Sequence, residues 1–364
     1  MKFMILASAV LRMLVGTYTQ GTGSEGVYLY SFNQDNGSFE KLSVASAGNP
    51  SFVIWAKDGV HAYAVSEFND GEQGIYTLSV RPGGTVAIEN AQAMPYGDCA
   101  DPCNIIEVGN KLITSNYTGG TYSGFPIGAD GLAGRMYRQF SPAHWLADNG
   151  FAGSTASAPH PHCVVASPDG KYLFATDLGS DSIYRFDIGG DYLNDPYVYF
   201  KNPLCAYKWN GAGHPGPRHM TFSPDGRFAY VICELGDMLA VFEYKDGALL
   251  PVQELKAYDG GGKGSADIHF SPDGRFLYTS HRLKEDGISI FAVNPKNGKV
   301  KNVGFERTLS HPRNFTITPN GKYLLCACRD SNVIDIYQIN SKDGSLQRSG
   351  TISLPAPVCI AFHE

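Results

Sequence analysis

Apolar and polar positions alternate through most of this chain in short runs, the period of a half-buried β-strand rather than of a helix. The clearest run reads Met220-Thr-Phe-Ser, a turn at Pro224-Asp225-Gly226, then Phe228-Ala-Tyr-Val-Ile-Cys-Glu-Leu235. Proline presets φ and glycine supplies positive φ in that turn, so the segment predicts a β-hairpin. The same turn stands at Ser167-Pro168-Asp169-Gly170 and Ser271-Pro272-Asp273-Gly274, and in variant form at Lys57-Asp58-Gly59 and Pro319-Asn320-Gly321. A third apolar run follows each hairpin, as at Met238–Tyr244 or Gly287–Val293, and turns at Asp246-Gly247 and Asn297-Gly298 lead into a fourth.

This four-strand unit recurs. Its leading motifs are Asn49-Pro50, Asp101-Pro102, Pro159-His160-Pro161-His162, Gly216-Pro217-Arg218-His219, Ser265-Ala266-Asp267, His311-Pro312-Arg313 and Pro355-Ala356-Pro357. The anchors Pro50, Pro102, Pro161, Pro217, Ala266, Pro312 and Pro357 are 52, 59, 56, 49, 46 and 45 residues apart. A period near 50 residues that carries four strands predicts a β-propeller. The seventh unit, Pro357–Phe362, has no hairpin partner after it, and Met13–Tyr18 at the other end of the chain is its expected mate. The reading is therefore all-β: seven four-stranded antiparallel blades in one domain over residues 14–364, closed by strands from both termini.

Composition agrees with many short strands joined by tight turns: of 364 residues, 42 are Gly, Tyr and Phe together make 41, and 18% are charged. A net charge of −6 and no cluster of Lys and Arg argue against nucleic acid or an anionic membrane as partner. No stretch of about 20 apolar residues is present to span a bilayer. Residues 1–13 read as an extension. Met1-Lys2 and the apolar run to Leu11 have the outline of a minimal export signal, but Arg12 follows at once, so a cytoplasmic location is expected, with the periplasm as the alternative. The eight cysteines lack metal-site spacing and read as small buried residues. A monomer or weak homodimer is expected.

Hairpin geometry brings the first residues of each inner strand beside the last residues of the second strand, at one mouth of the ring. That mouth should gather Arg218, Arg282, Arg313 and Arg329, with His160, His162, His219 and His281, and the acids Glu67, Asp177, Glu234 and Asp267. Arginines collected at equivalent positions of an acidic protein point to a small anion, which the guanidinium fork holds with paired hydrogen bonds. Glu234, at the end of an apolar strand, is a candidate base, and Arg218 beside it the alternative partner that would simply neutralise it. His160 and His162 should share one face of an extended segment, which fits acid–base work or a metal, but no third ligand is designated. No nucleophile elbow, Walker loop or dinucleotide fingerprint occurs in a fitting context, so no cofactor is expected.

In these same residues the chain resembles the seven-bladed propeller lactonases, the bacterial 6-phosphogluconolactonases of propeller type, which are related to a fungal carboxy-muconate lactonising enzyme. The shared motifs include Val15-Gly16-Thr17-Tyr18-Thr19, Asn116-Tyr117-Thr118-Gly119-Gly120, Pro159-His160-Pro161-His162, Gly216-Pro217-Arg218-His219, Glu234-Leu235 and Pro312-Arg313-Asn314-Phe315. The resemblance implies hydrolysis of a small anionic sugar lactone, with His162, Arg218, Glu234 and Arg282 as site residues. On that basis Glu234 or His162 activates water, Arg218 stabilises the oxyanion, and Arg282 and Arg313, with His219, His160 and His281 nearby, bind substrate. Ser280-His281-Arg282 departs from the usual Ser-Asn-Arg, and Asn104 replaces a frequent His. An unphosphorylated or carboxylated lactone, or a non-catalytic binding propeller, are the rival readings.

Overall fold

The computed structural model describes residues 9–150, 157–189, 195, 199–209 and 213–363. Within them lie seven antiparallel sheets of four strands each. Their innermost strands are Val53–Trp55, Pro102–Val108, Pro161–Ala166, Pro217–Phe222, Ser265–Phe270, Pro312–Ile317 and Pro357–His363, opening blades 1 to 7. Each of these strands touches its counterparts in the neighbouring blades, which makes a closed inner ring.

Blade 7 is assembled from both ends of the chain, as its pattern predicts. Pro357–His363 pairs antiparallel with Val10–Thr17, in the register Arg12 to His363 and Leu14 to Ala361. That strand begins four residues before the expected boundary at Leu14, because Leu11 and Met13 are core residues with no exposed surface. Closure covers two edges that would otherwise present unpaired backbone groups. The extension reading of residues 1–8 lies outside the described residues.

The hairpin turns have a side-chain cause. Ser167, Ser223 and Ser271 donate through Oγ to the Asp two residues on, at 2.6, 2.6 and 2.7 Å. The same carboxylates accept the backbone N–H of Lys171, Arg227 and Arg275, so each Ser-Pro-Asp-Gly loop is fixed from within. Apolar side chains fill the space between adjacent blades; Tyr323, Leu325 and Ile334 of blade 6, for example, pack on Met13, Tyr28 and Phe32 of blade 7. Blades are also pinned in sequence: Tyr230 and Tyr278 donate to the carbonyls of Gly298 and Gly344, turns of the next blade.

All eight cysteines are free thiols, seven of them buried. No helix of the described residues is long and apolar enough to cross a membrane.

Candidate active site

Six of the seven inner strands carry a bulge at the same place. Pro217 pairs with Cys233 and His219 with Ile232, so Arg218 is an extra residue with no partner across the ladder. His162, Arg313, Cys103 and Val358 are the extra residues of blades 3, 6, 2 and 7, and blade 5 is irregular between Ser265 and Ile268. A bulge re-aims the side chain it releases. A second set of positions faces the first: the residue directly after each second strand, namely Tyr18, Glu67, Tyr117, Leu178, Glu234, Arg282 and Arg329.

From these two sets comes one cavity of about 210 Å³, lined by Glu67, Cys103, Tyr117, His162, Glu234, Arg282 and Arg313. It is small and strongly ionic. Glu234 Oε1 accepts from Arg282 Nη2 at 2.8 Å, and Glu234 Oε2 lies 2.8 Å from Arg218 Nε. The Nε hydrogen of Arg218 is off line, so this second contact is an ion pair without a hydrogen bond. On the opposite wall Glu67 accepts from Tyr18 Oη at 2.8 Å and from Ser51 Oγ, and Arg313 Nη2 stands 3.6 Å from Glu67 Oε1. Three guanidiniums therefore share two carboxylates, which leaves one positive charge for an incoming anion.

His162 completes the cavity. It is buried, and neither ring nitrogen hydrogen-bonds to another described residue. Burial, then the positive charge of Arg218, holds its pKa well below the usual histidine value, so the ring is neutral at pH 7. Arg282 is also perturbed: burial pulls it down to about 9 against the opposing pull of Glu234. It remains a cation at neutral pH.

The structure corrects several expectations. Arg218 does not line the cavity; only 1% exposed, it stands behind the wall and spends Nη1 on the Ala266 carbonyl at 2.6 Å. His281 is wholly buried inside blade 5, with Nδ1 2.8 Å from Ser265 Oγ and Nε2 2.9 Å from Thr279 Oγ1. Strand alternation turns it inward when it turns Arg282 out, so it does not line the cavity. His219 lies beneath the cavity, its Nδ1 2.7 Å from Asp267 Oδ1. His160 and His162 do not share a strand face, because His160 precedes the strand and His162 is its bulged residue. His160 is on the rim, stacked on Tyr117 at 4.6 Å, whereas His162 meets the same ring edge-on at 5.7 Å. Asp177 is buried, accepting from Ser180 Oγ and the His160 backbone N–H, and fixes a loop. Arg329 is at the rim, tied to Asp330. Among the described residues no three His, Cys, Asp or Glu side chains are grouped to hold a metal ion.

Tyr18, Tyr117, Ser51 and Cys103 belong to the site although their residue types gave no chemical signal. A positional signal exists. Glu67, Tyr117, Leu178, Glu234, Arg282 and Arg329 each stand eight residues beyond a hairpin-turn glycine, at Gly59, Gly109, Gly170, Gly226, Gly274 and Gly321. These glycines all have positive φ, between 58° and 72°, so the turn fixes the count.

Comparison with known proteins places this geometry. A 6-phosphogluconolactonase of Formosa agariphila is 33% identical over 348 residues, spanning 92% of this chain and 94% of its own. A Bacteroides fragilis protein of known structure superposes with a TM-score of 0.90 at 40% identity, with 99% of each chain covered. The periplasmic gluconolactonase PpgL of Pseudomonas aeruginosa superposes at 0.84 with 27% identity, over 97% of this chain and 99% of that one. The family model described as lactonase, seven-bladed β-propeller, matches residues 12–362, and the chain belongs to that lactonase family.

Proposed function

We propose that the protein hydrolyses 6-phospho-D-glucono-1,5-lactone to 6-phosphogluconate, with the cavity between Glu67 and Glu234 as its active site. One observation carries the reading: a buried, neutral His162 with unengaged ring nitrogens faces the same small cavity as two guanidiniums. A neutral imidazole is a base ready to act, and fixed cations nearby stabilise the charge that builds on a carbonyl oxygen under attack.

In this mechanism His162 takes a proton from water as the water oxygen bonds to the lactone carbonyl carbon. The resulting oxyanion is held by Arg282 and Arg313. As the carbonyl re-forms, the bond from that carbon to the ring oxygen breaks, and the ring oxygen receives the proton from His162. The product is the open-chain acid. Glu234 has one oxygen on each of Arg218 and Arg282, which assigns it to holding those cations in place and leaves the proton transfer to His162. Water is the only co-reactant, and a lactone ester is already labile, so one base and a preorganised cation pair suffice. With a phosphorylated substrate, a cytoplasmic location is part of the same proposal.

A second reading takes the unphosphorylated gluconolactone as substrate, favoured by the likeness to the periplasmic gluconolactonase. The discriminating experiment measures hydrolysis by purified protein of freshly made glucono-1,5-lactone with and without the 6-phosphate, each against its spontaneous rate. Higher kcat/KM on the phosphorylated lactone supports the first reading; equal or reversed values support the second, and no acceleration of either removes both.

A further inference from the structure

Outside the cavity lining, on the inner strand of blade 5, sits a buried carboxylate that has no guanidinium partner among the described residues. Asp267 is 2% exposed. Its Oδ2 accepts from Asn314 Nδ2 at 2.6 Å and from the Phe315 backbone N–H at 3.2 Å, with His269 Nε2 3.0 Å away. Its Oδ1 accepts from the Ile268 N–H at 2.9 Å and lies 2.7 Å from His219 Nδ1. Asn314 Oδ1 in turn accepts from the Ile360 N–H at 2.8 Å. Blades 4, 5, 6 and 7 are thus joined at one anion. A carboxylate so thoroughly hydrogen-bonded is rigid, and the groups that it meets inherit that rigidity.

His219 transmits it. Arg218 Nη1 lies 3.2 Å from His219 Nε2, and a guanidinium N–H can only donate, so Nε2 is the acceptor. The ring is then the Nδ1–H tautomer, and that hydrogen is donated to Asp267. Arg218 is held at Nη1 by this ring and by the Ala266 carbonyl, which aims its Nε side at Glu234, whose other oxygen carries Arg282. We propose that Asp267, which touches nothing in the cavity, is a positioning residue: through the tautomer of His219 it sets Arg218 and Glu234, and so the orientation of the cavity cation Arg282. The consequence for turnover rests on the lactonase reading; the tautomer does not.

Two substitutions at one position separate this role from plain packing. His219→Gln brings an amide oxygen to the place of Nε2 and keeps an acceptor for Arg218. His219→Asn brings an amide to the place of Nδ1, keeps the contact to Asp267, and loses that acceptor. The glutamine variant should retain kcat within about threefold, and His219→Asn and Asp267→Asn should lose roughly 10–100-fold in kcat with a smaller change in KM, the range for partners that orient an active group indirectly. Equal losses in the Gln and Asn variants at 219 would overturn the proposal. Imidazole ¹⁵N shifts of the wild-type protein give a test that needs neither activity nor a folded variant. Neutral His219 protonated at Nδ1 agrees, whereas an Nε2–H or doubly protonated ring refutes it. Wild-type protein inactive on both lactones would sink the functional reading and leave the spectroscopic result standing.

Discussion

Replacing Glu234 by Gln removes the one anion between two buried guanidiniums. Arg218 is 1% exposed and Arg282 4%, and each has an atom 2.8 Å from a Glu234 oxygen. At an effective dielectric constant of 20, a unit-charge pair at 2.8 Å has a gross attraction of about 6 kcal/mol. Desolvation offsets much of it, and breaking a buried pair by deleting one partner costs about 3–5 kcal/mol because a charge is left unpaired. Here two charges are stranded, so the upper end applies. With an unfolding entropy near 2.1 cal/mol/K per residue, about 5 kcal/mol over this chain is a fall in Tm of roughly 6–7 °C. Differential scanning fluorimetry measures it. The double variant Glu234→Gln with Arg282→Gln should recover part of that loss, because it strands one charge fewer, while its kcat falls further. In the single variant Arg282, already at about 9, loses the neighbour that supports its charge. The alkaline limb of kcat should therefore move to lower pH, with the acid limb unchanged. A Glu234→Gln protein as stable as wild type would refute the orphaned-charge argument. Loss of the acid limb would make Glu234 the base.

Two further outcomes follow from buried histidines. Burial lowers His219 to about 4 and His281 and His311 to about 3, so in the fold these rings stay neutral where the unfolded chain takes up protons. Stability should be complete above pH 6.5 and fall as pH drops toward those values. At pH 5 each ring costs up to about 2 kcal/mol, readable as a lower urea midpoint; a midpoint unchanged from pH 7 to 5 would contradict it. His269 has the opposite sign: Asp267 raises it, and its stabilising share is full below pH 6.5 and lost as pH rises through its folded pKa. His281→Phe should keep kcat within about threefold yet lose roughly 2–4 kcal/mol in denaturant titrations, since the Ser265 and Thr279 hydroxyls lose their partner. A hundredfold fall in kcat at unchanged stability would put His281 back in the site.

The blade count, the ring closure and the convergence of charged residues at one mouth were all legible in the sequence, because each rests on turn residues at fixed spacing. Ser-Pro-Asp-Gly fixes where a hairpin reverses, and the reversal fixes which residues face each other. The inner-strand bulge was not legible. One extra residue per strand, such as His162, Arg218 or Arg313, breaks the alternation there, so counting along the strand could not say which of them enters the cavity; His162 and Arg313 do, and Arg218 does not. Nor could spacing decide between His281 and Arg282, adjacent residues of which a strand end exposes only one. Glu67, in the blade that opens at Pro50, was expected at the mouth, but its hydrogen-bond partner Tyr18, from the two-ended seventh blade, was not, because a tyrosine in a strand-rich chain reads as core until its neighbour is known.

The proposed mechanism turns on the assignment of His162 as the base in the cavity. Its most direct test is the steady-state rate of His162→Asn on fresh 6-phospho-D-glucono-1,5-lactone, corrected for spontaneous hydrolysis, beside a Tm measurement on the same sample. Loss of a general base should lower kcat by about 10²–10⁴ with Tm within a few degrees of wild type. A folded His162→Asn protein that turns over the lactone at the wild-type rate would contradict it.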